Sequence, residues 1–268
     1  MSAPVRADAE VAGNADEGGR SRRLALRVPG WPGFAPGQFA MLSPGALGAA
    51  LRDDPLLPRP MAVYRERPAA GGAEIEILYK VTGRGTALLS DARPGDRVRV
   101  VGPLGAGFPL PGAGERALLV GGGTGIASLF ELASRAAGRG ELRVLLGART
   151  GAELMGRRDF KSLDCALELA TEDGSEGRRG LVTALLAEEL GRGPARVYAC
   201  GPTPMMRAAA ALAGAAGCHT WVSLENPMAC GFGVCLGCAV PLAAGGFALV
   251  CRDGPVFEAE RVAWEHLA

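Results

Sequence analysis

Four cysteines near the C-terminus, Cys230, Cys235, Cys238 and Cys251, follow the spacing C-x4-C-x2-C-x12-C. The first three match the plant-type spacing of a [2Fe-2S] centre, where a tight loop presents thiolates to both irons and a more distant cysteine closes the site. Gly231, Gly233 and Gly237 lie between the ligands, where a loop must curl around an inorganic core and aim N–H groups at its sulfurs. From Asn226 to Cys251 no formally charged residue occurs, a run that could be taken for a membrane span. Pro227, Pro241 and the glycines break it, and a low-charge shell suits an electron carrier instead. Structural zinc is the competing reading, although zinc ribbons favour paired C-x2-C knuckles and one such pair occurs here. Disulfides are disfavoured because no secretion signal is evident. Cys165 and Cys218 read as ordinary buried cysteines.

A second constellation is Gly121-Gly122-Gly123-Thr124-Gly125, which follows the apolar run Ala117 to Val120 and opens an apolar helix. Glycines there let backbone approach a pyrophosphate, and the following N–H groups favour an anion. The spacing is not a clean G-x-G-x-x-G, so a plain packing turn is the alternative. Downstream, Cys200-Gly201-Pro202 ends another apolar strand, at the edge of a parallel sheet where ligands bind. Cys200 is a candidate for contact with a nicotinamide ring or an inert edge cysteine. Arg149, after the strand Leu142 to Leu146, could stack on adenine, pair with a 2'-phosphate, or stand in solvent. His219 and His266 are not placed as an acid/base pair, and no catalytic residue is assigned.

The elements that must position these residues fall into two kinds. From Arg20 to Pro111 short strands alternate with turns: Arg22 to Val28, Gln38 to Leu42, Met61 to Arg65, Glu74 to Val81 and Arg97 to Val101. Turn signals at Pro29-Gly30, Pro36-Gly37 and Pro94-Gly95 predict a small antiparallel barrel. After Gly112, strands at 117–120, 142–146, 167–170 and 196–199 alternate with helices at 127–137, 153–162, 182–190 and 203–214. This predicts a doubly wound parallel sheet.

The 268 residues carry 29 basic and 28 acidic side chains, which gives no electrostatic footprint for nucleic acid or an anionic membrane. With 41 glycines and 19 prolines, about 22% together, the chain is loop-rich yet below the range of disordered low-complexity sequence. Residues 1–19 mix charges among alanines and glycines without a signal-type apolar core, and read as a frayed tail on a cytoplasmic protein.

In order, these motifs resemble the ferredoxin reductase-like flavoproteins and, among them, the electron-transfer subunits of NAD-dependent, class B dihydroorotate dehydrogenases. Arg59-Pro60-Met61-Ala62 resembles the family's R-P-x-S flavin motif. Leu78-Tyr79-Lys80, then Gly85-Thr86, resembles its second flavin segment. Gly102-Pro103-Leu104-Gly105 resembles the turn ending the barrel, Gly121 to Ala127 the dinucleotide loop, and Cys200-Gly201-Pro202 the C-G-P motif. The cysteine segment resembles the C-terminal cluster module. Ala62 in place of the usual serine, and Ser128 in place of proline, are departures.

The resemblance implies an FAD-binding barrel over residues 20–112, an NAD-binding α/β domain over 113–222 and a [2Fe-2S] module over 223–268. It further implies an FMN-containing partner that oxidises dihydroorotate for pyrimidine synthesis, in a heterotetramer of two of each. The partner would pass electrons through cluster and FAD to NAD+. Two alternatives stay open: a flavin/iron–sulfur subunit of a ferredoxin:NADP oxidoreductase, sulfide dehydrogenase or hydrogenase complex, and a zinc-stabilised nucleotide-sensing module.

Overall fold

The computed structural model describes residues 3–44 and 55–267. Its first sheet contains β1 (Val5–Gly18), β2 (Ser21–Pro29), β3 (Phe39–Ser43), β4 (Arg59–Ala62), β5 (Arg65–Ala69), β6 (Gly72–Lys80) and β7 (Arg97–Leu104). All pairings are antiparallel, in the order β4-β3-β7-β1-β2-β6-β5, and the sheet curls into a half-barrel. Leu24, Leu26, Leu42, Ile75, Ile77, Val98 and Val100 fill it. A short helix, α1 (Arg84–Ser90), connects β6 to β7.

The segment expected to be a frayed tail is instead β1, a central strand paired with both β2 and β7. Its inward residues are the small Ala9 and Val11, fully buried, while charged residues alternate with them. The outward charges find partners across the sheet, Glu10 with Arg27 at 3.2 Å and Asp8 with Arg99 at 3.2 Å. Weak hydrophobicity on one face and strong charge on the other concealed an ordinary period of two.

The predicted strand 61–65 is divided. Val63 and Tyr64 are buried consecutively, which breaks the alternation. There the chain changes neighbours, Val63 N–H donating to Gln38 O and Tyr64 N–H to Glu76 O.

The second sheet is built from β8 (Ala117–Gly122), β9 (Leu142–Ala148), β10 (Ala166–Thr171), β11 (Arg178–Arg179), β12 (Arg196–Cys200) and β13 (Thr220–Ser223). A short pair, β14 (Ala239–Pro241) and β15 (Phe247–Leu249), stands apart from it, and β16 (Val256–Glu258) returns as its edge strand. The order β11-β10-β9-β8-β12-β13-β16 is parallel except for β16. Helices α2 (Phe130–Ala136) and α3 (Arg157–Lys161) join the core around Leu119, Val144 and Leu146. Helices α4 (Val182–Leu190) and α5 (Thr203–Ala215) cover the other face, against Leu118, Val120 and Val197. The expected helix from 127 begins as a 3-10 turn over Gly123–Leu129 and becomes α-helical at Phe130.

Strand order reverses between β9-β8 and β8-β12, so a crevice opens at the carboxyl ends of β8 and β12. The cysteine segment loops out between β13 and β16; its Cys238, Val240, Leu249 and Cys251 belong to one apolar core with Phe39, Met41 and Leu104 of the half-barrel, and Gly231 lies against Met41 and Leu104. The two sheets also meet through Tyr64, whose ring stacks on Phe130 at a centroid distance of 4.5 Å. Among the described residues no helix is long and apolar enough to cross a membrane.

Candidate functional site

Two clefts meet where the half-barrel faces the parallel sheet. The first, about 540 Å³, has one wall made by Arg59, Pro60, Met61 and Ala62 of β4 and by Leu78, Tyr79 and Lys80 of β6. Its other wall comes from Thr124, Ala127 and Ser128 and from the run Ser223 to Met228. Arg59 Nη1 donates to Leu57 O at 2.6 Å, and the guanidinium lies directly over Gly85. A Cβ at Gly85 would fall 2.5 Å from Arg59 Nε, so only glycine leaves this cation its place beside the start of α1. Thr86 lines the cleft, yet its hydroxyl is spent on the loop: it accepts from Thr82 and Gly83 N–H and donates to Gly83 O. What remains for an anion is Arg59 and the amides of Gly85 and Thr86 in the first turn of α1, whose N–H groups have no acceptor within the helix.

The second cleft, about 620 Å³, is lined by Gly122, Gly123 and Thr124, by Gly201, Pro202 and Met205, and by Arg149, Glu153, Glu172 and Leu181. Gly121 and Gly125 line neither cleft. Gly121 packs against Ile126 and Leu146, and a Cβ at Gly125 would overlap the Cys200–Gly201 peptide. These glycines set the distance between the β8 turn and the β12 turn. Cys200 is fully buried one residue behind the wall, its thiol directed to Ser223 O at 3.6 Å. Burial, reinforced by the charge of Glu225, pushes that thiol up to about 12, so it stays neutral.

Lys80, Thr82, Thr124 and Glu225 belong to both clefts. Glu225 was not singled out from sequence, although it follows β13 at the carboxyl edge of the parallel sheet, where such a residue is to be sought. Its carboxyl is open to the cleft but crowded by protein, and that desolvation raises it above the usual carboxylate range.

The four cysteines form two pairs. Cys238 and Cys251, both buried, are brought together by the β14–β15 ladder with sulfurs 3.3 Å apart. Gly233 N–H points at Cys251 Sγ at 3.1 Å, and Cys251 N–H at Cys238 Sγ at 3.4 Å. The other pair is half-buried Cys230 and exposed Cys235. Burial works against ionisation of Cys230, but the amides of Cys235, Phe232 and Val234 and the Cys235 thiol bring it down to about 6. Burial and the neighbouring Cys238 push Cys251 up to about 12.

Among the described residues, the one trio of His, Cys, Asp or Glu with ligand atoms all within 4.8 Å of one another is His219, Glu258 and Glu260, so no three of these sulfurs converge that closely. A tetrahedral zinc, with Zn–S of about 2.3 Å, needs all four sulfurs crowded around one point. Two separated pairs with N–H donors on sulfur fit a two-iron cluster better.

Residues 119–211 match a family described as the oxidoreductase NAD-binding domain. Residues 225–263 match the iron-sulfur cluster binding domain of dihydroorotate dehydrogenase B. The electron transfer subunit of dihydroorotate dehydrogenase B (NAD(+)) from Geobacillus thermodenitrificans is 42% identical over 232 residues, covering 85% of this chain and 86% of that protein. The chain belongs to this family of electron-transfer subunits. The Aquifex aeolicus homologue of the same subunit is 37% identical over 263 residues, covering 95% of this chain and 97% of its own. Among solved structures, that of an NADH-dependent reduced ferredoxin-NADP oxidoreductase superposes with a TM-score of 0.83 at 30% identity, covering 97% of this chain and 91% of that one. The ferredoxin reductase of carbazole 1,9a-dioxygenase, at 22% identity and a TM-score of 0.66, shares the fold. Family membership makes the chain an oxidoreductase subunit with FAD, NAD and iron–sulfur centres, built to work with a catalytic partner.

Proposed function

We propose that this subunit carries electrons from a dihydroorotate-oxidising, FMN-containing partner to NAD+, in an assembly of two copies of each chain. The observation that carries this reading is the run Glu225 to Met228. It forms a wall of the first cleft, contributes Glu225 to the second, and reaches Cys230 two residues later. One short segment thus touches all three centres.

In this reading the first cleft holds FAD. Arg59 and the amides at Gly85 and Thr86 neutralise its pyrophosphate, while Pro60, Met61, Ala62, Leu78, Tyr79 and Lys80 line its rings and chain. Gly122, Gly123 and Thr124 cradle the dinucleotide, with Gly121 and Gly125 packing that loop and Gly201 and Pro202 facing it across the crevice. Cys200 supports this wall as a neutral, buried thiol. Cys230, Cys235, Cys238 and Cys251 bind [2Fe-2S]. The bound groups supply the redox chemistry, one electron at a time at the cluster and as hydride exchange between flavin and nicotinamide. The chain excludes water from the buried cysteine pair and holds the two clefts edge to edge.

Partner docking has a face of its own. Phe232, Val234 and Leu236, which flank Cys235 in the chain, are all more than half exposed, as is Phe247 at the start of β15. Large apolar side chains left bare beside the most accessible ligand suit a protein interface through which electrons enter. A second reading keeps the cofactors and changes the partner to that of a ferredoxin-NADP oxidoreductase; the 0.83 structural match favours it.

The test is Cys235→Ser in the anaerobically reconstituted complex. NADH-dependent dye reduction, which needs FAD alone, is expected to persist, while NAD+ reduction by dihydroorotate is abolished together with the cluster's visible absorption. A wild-type complex free of iron and flavin, or one inactive with dihydroorotate, would refute the proposal.

A further inference from the structure

The dinucleotide cleft has two ends. Lys80, Thr82, Thr124 and Glu225 lie at the end shared with the flavin cleft. The far end is built from the carboxyl ends of β9 and β10 and the start of α4, with Arg149, Glu172, Leu181 and Thr183 among its walls. On the reading of this cleft as the NAD site, the hydride-exchanging ring sits at the shared end and the adenosine half at the far one. Leu181, 62% exposed, offers a base an apolar surface there.

NADP differs from NAD by a 2'-phosphate on the adenosine ribose. Arg149 is the one cation among the described residues lining the far end. The structure commits it elsewhere, as its Nη2 and Nε fork onto Glu153 Oε1 and Oε2 at 3.0 and 3.3 Å. Glu153 also takes Lys80 Nζ at 2.9 Å, so its carboxylate anchors both cations. Glu172 is exposed, follows β10, and has no ion-pair partner among the described residues. Its amide donates to Ala148 O at 3.1 Å, and Asp173 N–H to Arg149 O at 3.2 Å, which holds the two strand ends together beneath the cleft. Glu153 thus holds both Arg149 and Lys80, while the Glu172 carboxylate stands at this corner without an ion pair among the described residues.

We infer that Glu172 selects NAD(H) against NADP(H), its carboxylate accepting from the ribose hydroxyls and repelling a 2'-phosphate, while Glu153 keeps Arg149 from answering that phosphate. A bound cation would serve either dinucleotide, whereas an uncommitted carboxylate discriminates by repulsion.

Calorimetric titration of the FAD-loaded full chain with AMP and with 2'-phospho-AMP reads this without turnover. Wild type is expected to prefer AMP. Glu172→Gln should shift the ratio of the two affinities by about tenfold toward the phosphorylated ligand, and Glu172→Asp should retain the wild-type ratio. The kcat/KM ratio for NADH over NADPH in dye reduction should move in parallel, with flavin spectrum and thermal midpoint unchanged. An unmoved ratio, or equal loss of both ligands, overturns the inference. Failure of wild type to bind AMP, NADH or NADPH at all would instead refute the cleft assignment, and the inference with it.

Discussion

Asp159→Asn tests whether a partly buried ion network holds the two halves of the molecule together. Asp159 lies on α3 beside the parallel sheet, while its partners lie on the half-barrel. Arg23 Nη2 reaches it at 2.6 Å, Tyr64 Oη donates at 2.8 Å, and Arg65 Nη1 stands at 3.3 Å. Arg23 also meets Glu17 at 2.5 Å and Glu76 at 2.6 Å, and Arg67 meets Glu76 at 3.2 Å, so three cations face three carboxylates and removing one carboxylate charge unbalances the set. Breaking a fully buried pair costs about 3–5 kcal/mol; the Asp159 side chain is 21% exposed and asparagine keeps one acceptor, so about 2–3 kcal/mol is expected. At this chain length that is a fall of about 5–10 °C in thermal midpoint.

The loss also has a pH signature. Burial opposes ionisation of Asp159, yet hydrogen bonds from Arg23 and Tyr64 and the charges of Arg23 and Arg65 hold its carboxyl below the usual range. A depressed folded-state value means the stabilisation is complete above the unfolded aspartate value of about 3.9. It is lost as pH falls through the folded value. Differential scanning calorimetry of wild type and variant should therefore show a constant gap near neutrality that closes in acid. Tyr64→Phe, which deletes one donor, should cost about 1 kcal/mol and be non-additive with Asp159→Asn. An unchanged midpoint in Asp159→Asn, or a gap that widens in acid, would refute the reasoning.

Two further outcomes follow from the clefts. Arg59→Ala removes the cation over Gly85 and should weaken FAD retention by about 10- to 100-fold, seen as flavin release on gel filtration; charge-assisted bonds of about 1.5–3 kcal/mol set that scale. Gly125→Ala forces the β8 turn away from the Cys200–Gly201 peptide, and the overpacking should cost about 1–3 kcal/mol and raise the KM for NADH while flavin binding persists.

The intervals that wrap small centres were readable in sequence because they are local. Cys230, Cys235 and Cys238 lie within one loop, and Gly121 to Gly125 within one turn, so spacing alone constrains them. The strands β8, β9, β10 and β12 were legible too, since strands buried on both faces write themselves as apolar runs. β1 was missed because Ala9 and Val11 are small and their neighbours charged, a pattern that becomes a strand only once β2 and β7 supply hydrogen bonds and counter-ions.

The sharing of a wall by two clefts belongs wholly to the tertiary structure. Lys80, Thr124 and Glu225 are separated by 44 and by 101 positions along the chain. Their meeting depends on the crossover order of the second sheet and on how the half-barrel docks against it. The same holds for the fate of individual side chains: Cys200 withdrawn behind the wall, Thr86 absorbed by its loop, Arg149 tied to Glu153, and Arg23 joined to Asp159 across 136 residues. Residue type and spacing determined which chemistry was present. Long-range packing decided which groups stay free to perform it, because desolvation and ion pairing are properties of neighbours that the sequence does not place side by side.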